Sequence, residues 1–277
     1  MHSTFLKLPN PAATFDELVG FVKGVYQKQN CTQAVVAVSG GIDSALSLTL
    51  ATQALGPENV MAVSLPYADQ STATAQLMAE FNHLPASQHL TLNIKRMAEV
   101  FFREIDEIAK FGRLSRSGGS QPQLDALRKG NIMARCRMIV LYDLAKQHQA
   151  LVCGTENKSE KYLGYFTRFG DEASDLEPLQ HLYKTQVWEL ATFLKFPERI
   201  LTQAPSAGLW EGQTDEAELG FSYRDADKIL VEYIDRHQHL EDIVLDDVSL
   251  ATVAAVIKRV EQTRFKLEVP FTLPSQL

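Results

Sequence analysis

Cysteine is scarce in this sequence. Three occur, Cys31, Cys136 and Cys153, widely separated and without a Cys-x-x-Cys pair. That usage argues against a structural zinc and points to a reducing compartment. Long hydrophobic runs are missing as well. None reaches the ~18 residues needed to cross a bilayer, and the N-terminus lacks the apolar core of a secretory leader. A soluble cytoplasmic protein with no membrane partner is the expectation. Positive charge is in deficit, with 27 Lys and Arg against 34 Asp and Glu, a net charge of −7. A general nucleic-acid binder is therefore not expected, although a local basic groove stays open. Internal repeats and low-complexity tracts are absent too.

What is present suffices for a core: 45% of the 277 residues are apolar, enough for one large domain or two small ones. One stretch organises the rest, Val35-Val36-Ala37-Val38-Ser39-Gly40-Gly41-Ile42-Asp43-Ser44-Ala45-Leu46. It reads as a buried parallel strand, a sharp turn and the opening of a helix capped by Ser44. Glycines let the backbone approach a ligand closely, and the N–H groups and dipole of the helix start make an anion site. This is not a Walker A loop, because no Lys follows the glycines. Asp43 stands there instead, and a carboxylate beside bound phosphate requires a cation between them. Mg²⁺ with Asp43 as ligand is the expectation. The turn is similar to the pyrophosphate-binding loop of the ATP pyrophosphatases, which split ATP between its α and β phosphates.

The pattern predicts a helix over 14–29 capped by Thr14, strands over 59–66 and 88–94, and helices over 71–81 and 95–111. A long helix follows over 124–147, apolar nearly all round, which places it in a core or against another subunit. Arg135 on that helix needs an anionic partner, either a protein carboxylate or one on a substrate. A short strand, Leu151-Val152-Cys153, leads into the most polar long loop of the chain. Helix resumes over 179–196 and again from Asp225. Alternating strands and helices predict an α/β fold, a doubly wound parallel sheet flanked by helices. Such sheets bind ligands at the carboxyl ends of their strands, so Asp43, Ser64-Leu65 and the residues after Val152 should share one crevice. Ser64-Leu65-Pro66 is either an adenine contact or a plain strand end. Residues 112–123 read as a mobile basic loop or a solvated turn, and 205–213 as a second flexible loop able to act as a lid.

Several motifs in order carry a resemblance. They are Ser39-Gly40-Gly41-Ile42-Asp43-Ser44, Gly130-Asn131 with Ala134-Arg135 and Arg137-Met138, and Gly154-Thr155 through Glu160. Gly164-Tyr165-Phe166-Thr167-Arg168-Phe169-Gly170-Asp171, Asp175, Pro178-Leu179 and Tyr183-Lys184-Thr185 follow. Pro205-Ser206-Ala207 and Gly212-Gln213 through Gly220 complete the set. Together they make the chain resemble the ammonia-dependent NAD synthetases of the ATP pyrophosphatase (PP-loop) superfamily. The resemblance implies a single domain over 1–277 with a Rossmann-like, adenine nucleotide alpha hydrolase-like fold. It also implies amidation of deamido-NAD by ammonia through an adenylated intermediate, giving NAD, AMP and pyrophosphate. ATP is then a co-substrate, and Ala37, Val38, Ser39, Gly40, Gly41, Ile42, Asp43, Ser44, Thr155, Lys184 and Ser206 contact it. Mg²⁺ lies on Asp43 and Glu160. Arg135, Arg168, Asp175 and Lys266 contact deamido-NAD, Asp171 lies near the ammonia, and Asp43, Lys184 and Asp171 carry catalysis.

Two departures stand out. Phe265-Lys266 occupies a place where many members carry His-Lys, and Arg168 one where many bacterial members have Lys. The family also implies a homodimer. An amidating or thiolating ATP pyrophosphatase acting on another nucleotide or a tRNA is the nearest rival. A non-catalytic adenine-nucleotide sensor is the rival of a different class. Free ammonia is the expected nitrogen donor, because extraction of ammonia from glutamine needs a nucleophilic cysteine with its own domain, and each cysteine here reads as a small core residue.

Overall fold

The computed structural model describes residues 6–111, 122–206, 214–268 and 270–272. Most of the expected loop at 112–123 and of the expected lid at 205–213 therefore lies outside the described residues. Four strands, β1 (Gln33–Ala37), β2 (Val60–Ser64), β3 (His89–Thr91) and β4 (Ala150–Cys153), form one sheet in the order β3-β2-β1-β4. Every pairing is parallel, with Val36 opposite Ala62 on one side and Cys153 on the other.

Because side chains alternate across a strand, the valine run of β1 serves two cores. Ala34, Val36 and Ala62 pack beneath α1 (Pro11–Lys28), α2 (Ile42–Leu55), α3 (Ala73–Phe81) and, beyond the site, Val187 and Leu190. Val35, Met61, Val63 and Val152 pack against α4 (Lys95–Phe111) and α5 (Pro122–His148), through Ile94, Ala98, Met133, Cys136 and Leu141. Helices thus cover both faces, as a doubly wound α/β sheet requires. A third apolar cluster joins Leu163, Tyr183 and Tyr223 to Val253, Val256 and Val260.

Local chemistry moves several predicted boundaries. Asn10, not Thr14, caps α1: its Oδ1 accepts from the N–H of Ala13 at 3.1 Å, and Pro11 opens the helix. Gly41, not Ser44, precedes α2, and Ser44 turns its hydroxyl back to donate to the Gly41 carbonyl at 2.9 Å. The polar loop after β4 contains a short helix, α6 (Lys158–Leu163). The helix expected from 179 begins later, as α7 (Lys184–Phe193). Beyond it come α8 (Glu198–Leu201), α9 (Asp215–Leu219), α10 (Tyr223–Leu230) and α11 (Leu250–Thr263). The long helix α5 is not buried all round in the single chain, since Ile139 is 52% exposed.

β2 leaves β1 on one side and β4 flanks it on the other, so the strand order reverses at β1. A reversal of this kind opens a crevice at the carboxyl ends of the two strands. The turn before α2 and the segment after β4 border it.

Candidate active site

A cleft of about 690 Å³ occupies that crevice. Ala37, Val38, Ser39, Gly41, Ile42, Asp43 and Ser44 line it from the turn after β1. Ser64, Leu65 and Pro66 line it from the end of β2, and Thr155, Glu156, Glu160, Asp171, Lys184, Ser206, Asp215 and Lys266 from later segments. The shared crevice expected from the sequence is therefore present.

The turn after β1 is shaped by its glycines. Gly40 sits at φ +90°, and a Cβ there would run into the Thr74 hydroxyl. The N–H of Gly41 donates to Ser39 Oγ at 3.3 Å, and the Ser39 and Ser44 hydroxyls lie 3.2 Å apart. These contacts fold the turn so that Asp43, in the first turn of α2, faces the segment after β4.

Three elements meet at Asp43. Asn157 caps α6 by accepting from the Glu160 N–H at 3.0 Å, while its own N–H donates to Glu160 Oε2 at 3.4 Å. The Asn157 amide also donates to Asp43 Oδ1 at 2.9 Å. Lys184, the first residue of α7, places its ammonium 2.5 Å from Asp43 Oδ2 and 3.0 Å from Glu160 Oε1. The lysine side chain is 3% exposed. Burial alone would lower its pKa, but Asp43 and Glu160 outweigh that and hold it protonated. Burial pushes the Glu160 carboxyl up, against the pull of Lys184.

Asp227 fixes the lysine from below. Its Oδ1 accepts from Ser159 Oγ at 2.5 Å, and its Oδ2 accepts from the Thr185 N–H and hydroxyl at 2.9 and 2.8 Å. Ser159 Oγ in turn accepts the Lys184 N–H at 2.8 Å. Tyr223 packs its ring 5.2 Å from the Lys184 ammonium and donates to Asp215 Oδ2 at 3.2 Å.

Asp171 and Glu156 also line the cleft, and Glu177 packs against Glu156. Asp171 is held by the Thr167 N–H at 2.8 Å, and Thr167 is tied to Asn131 of α5. Glu177 accepts from the Glu156 N–H at 2.9 Å and from the Ser174 hydroxyl at 2.7 Å. Burial, reinforced by the neighbouring carboxylates, pushes Glu156 up to about 9; burial likewise takes Glu177 to about 8. Gly154 is needed beside them, because a Cβ there would collide with the Glu177 carboxyl.

Other predicted residues stand elsewhere. Arg135, Arg168, Asp175 and Gly40 do not line the cleft. Arg135 donates to the Arg168 carbonyl at 3.2 and 3.3 Å, and the Arg168 guanidinium lies over the Phe265 ring. Asp175 accepts the Val152 N–H at 2.7 Å. Lys266 reaches the cleft but donates to the carbonyls of Gly164 and Phe166 at 2.6 and 2.7 Å. Cys153 is buried, and burial raises its thiol well above the ordinary range, away from nucleophile chemistry.

Sequence reasoning did not assign roles to Glu156, Asn157, Arg137, Asp215 or Asp227. Arg137 donates to the Leu65 carbonyl at 2.9 Å and lines the cleft. Only Asn157 left a usable signal, an Asn three residues before a Glu at a strand's carboxyl end. The others act over long chain separations.

The donor set suits a hard cation shared with a ligand. Asp43 and Glu160 converge on one point, where the Lys184 ammonium now lies between them. Among the described residues no group of three or more Asp, Glu, His or Cys could hold a metal alone. Mg²⁺ is commonly bound by one or two carboxylates with phosphate and water supplying the rest, which fits this pair.

Comparison with known proteins gives a consistent picture. Residues 14–270 match the family model described as NAD synthase. An NH(3)-dependent NAD(+) synthetase from Fusobacterium nucleatum is 36% identical over 258 residues, covering 92% of this chain and 93% of that protein. Among solved structures, an NMN synthetase from Francisella tularensis is 31% identical with a TM-score of 0.78, covering 95% of this chain and 98% of its own. An NH3-dependent NAD synthetase from Campylobacter jejuni, in complex with the nitrate ion, is 26% identical with a TM-score of 0.73. It covers 96% of this chain and all of its own.

Proposed function

The chain belongs to the NAD synthase family, and from that premise we propose that it amidates deamido-NAD with ammonia at the expense of ATP, releasing NAD, AMP and pyrophosphate. The observation that carries this reading is the meeting of Asp43, Glu160 and Lys184 over a strand–turn–helix that has no Walker A lysine. The nicotinate carboxylate attacks the α-phosphate of ATP, and pyrophosphate leaves. The backbone N–H groups at the start of α2 face the phosphates, and Lys184 neutralises charge as it builds on them. Asp43 and Glu160 would hold Mg²⁺, which when bound screens the phosphates from the carboxylates and from the incoming anion. Ammonium must lose a proton before its nitrogen can attack the adenylated carboxyl, and a nearby carboxylate such as Asp171 can hold the cation and accept that proton.

Thr155 and Ser206 line the cleft, which supports reading both as ATP contacts. The position of Lys266, which tethers the 164–166 turn inside the cleft, supports a contact with the dinucleotide. Arg135, Arg168 and Asp175 lie away from the lining, and their assignment rests on the family resemblance together with a dimer that brings a second chain alongside. The chain acts as one domain in the cytoplasm.

The test is direct. Purified protein with deamido-NAD, ATP, Mg²⁺ and ammonium chloride should yield NAD by mass, with AMP and pyrophosphate in equal amounts. ADP as the main nucleotide product would overturn the reading. A second reading keeps the chemistry and changes the substrate, with the carboxylate precursor of nicotinamide mononucleotide in place of deamido-NAD. The 31% identical Francisella structure favours it. Rates with the two substrates side by side decide between them, and the higher kcat/KM assigns the substrate.

A further inference from the structure

Glu160 and Lys184 reach the cleft from different helices, each from the first turn of its own. Carboxylates of α10 and its continuation join those two helix starts. Asp227, fully buried, accepts from Ser159 beside Glu160 and from Thr185 beside Lys184. Asp235 repeats the pattern. Its Oδ1 accepts from the Lys158 ammonium at 2.6 Å, and its Oδ2 from the Tyr183 hydroxyl at 2.9 Å. Lys158 opens α6, and Tyr183 is the residue before α7. The Lys158 ammonium also lies 4.5 Å from the centre of the Tyr183 ring. Asp227 and Asp235 stand eight residues apart. At 3.6 residues per turn, eight residues overshoot two helical turns by about 80°, which would carry Asp235 off the face of Asp227. After Leu230, however, α10 gives way to a π turn over Val231–Asp235. Its i→i+5 bonds take up an extra residue and remove most of that rotation. Tyr223, Ala226 and Ile229 of α10 share one apolar cluster with Leu163 and Tyr183, which seats the helix against both starts. None of Lys158, Ser159, Tyr183, Thr185, Asp227 and Asp235 lines the cleft.

We propose that Asp227 and Asp235 are positioning residues, a two-point clamp from α10 and its π turn that sets the Glu160 carboxylate and the Lys184 ammonium at a fixed spacing. Each carboxylate bonds to the start of α6 with one oxygen and to the start of α7 with the other. A shift of either helix start would move one charge relative to the other, and electrostatic stabilisation of a transition state depends on such placement. The two points differ in burial. Asp227 is sealed, whereas the Asp235 side chain is 39% exposed and that of Lys158 is 17% exposed. A partly exposed ion pair adds little to stability, so a cut at Asp235 leaves the fold and reads the geometry. The clamp's part in turnover rests on the amidation reading above.

Two measurements on the full chain test it. The first needs no turnover. A buried ammonium held by carboxylates exchanges its protons slowly enough to be seen in a ¹H–¹⁵N spectrum, and Lys184→Met identifies the signal by its loss. Asp235→Asn, which touches neither Lys184 nor the cleft, should shift or broaden that signal. A signal left where it was overturns the clamp. The second is the steady-state rate, taken well below the melting temperature. Asp235→Asn should lower kcat by about tenfold while the KM for deamido-NAD stays within about twofold. An unchanged kcat, or a loss carried by KM alone, overturns the proposal. Lys158→Met and Tyr183→Phe each cut one arm of Asp235, and Tyr183→Phe keeps the ring beside Lys158. Each should lower kcat, and the double variant should lower it no further than the worse of the two. Losses that multiply would mean two independent contacts and no clamp. Should Asp235→Asn fail to fold, Tyr183→Phe must move the Lys184 signal in its place. Wild-type protein whose Lys184 signal responds to Asp235→Asn but which makes no NAD would defeat the amidation reading and leave the clamp standing.

Discussion

Asp43 accepts from Asn157 with one oxygen and from Lys184 with the other, and both contacts cross more than a hundred residues of chain. Replacing it with Asn keeps the shape and removes the charge. Asp43→Asn should lower kcat by about 10³-fold or more, several kcal/mol of transition-state stabilisation, with the fold kept. Stopped assays with circular dichroism check both halves, and wild-type turnover at ordinary Mg²⁺ would show that Asp43 carries no charge needed by the reaction. The buried Glu156–Glu177 pair gives a pH prediction. Both carboxyls titrate higher in the folded chain than the 4.5 of an ordinary Glu. The folded chain therefore keeps protons that the unfolded chain has released. Their contribution to stability is fully present below about 4.5 and is lost as pH rises through about 8 to 9. Melting between pH 6 and 9 should fall for the wild type and fall less for Glu177→Gln. An identical slope would place the titration elsewhere.

At the scale of the element, α6 matters beyond its six residues. Its first turn carries Glu160, its cap is Asn157, and the cap's amide reaches Asp43. Arg259 holds its end by donating to the Leu163 carbonyl at 2.8 Å, and Lys266 holds the next residue. Two substitutions separate the cap from the tether. Asn157→Ser keeps a capping oxygen and loses the amide donor, so melting should stay near wild type while kcat/KM falls about tenfold. Asn157→Ala loses both and should destabilise the chain by about 1 kcal/mol as well. Equal kinetics for Asn157→Ser and wild type would reduce the tether to packing. The sequence read this stretch as loop, because a six-residue helix shows less than two turns of periodicity.

At the scale of the whole molecule, an apolar face on α5 and the edge of the sheet is open. Ile139 on α5 is 52% exposed and Leu92, next to the edge strand β3, is 46% exposed, with Val140 and Leu144 beside them. A second copy of the chain is the proposed cover. Light scattering should give about twice the 30.9 kDa of the single chain, and Ile139→Glu should shift it towards the monomer and lower activity. A monomer at working concentration would remove the dimer.

Buried strands, the Gly-Gly turn and long helices are local patterns, and they were legible in the sequence. The apolar runs at 35–38 and 60–63, the ends of α4 to the residue, and the crevice shared by Asp43, Ser64 and Thr155 all followed from periodicity and from the rule that ligands sit at the carboxyl ends of parallel strands. What the sequence by itself determined was therefore the α/β architecture, the strand–turn–helix around Gly40 and Gly41, and the place of Asp43 at the carboxyl edge of the sheet. Only the tertiary structure decided which polar residues meet. Lys184 reached Asp43 because Asp227, far along the chain, fixes the start of α7. Arg135 settled on the Arg168 carbonyl, and Glu156 was left buried with one oxygen unpartnered among the described residues. Such pairings depend on distances across the fold, and neighbours in space contribute burial and charge that neighbours in sequence do not record.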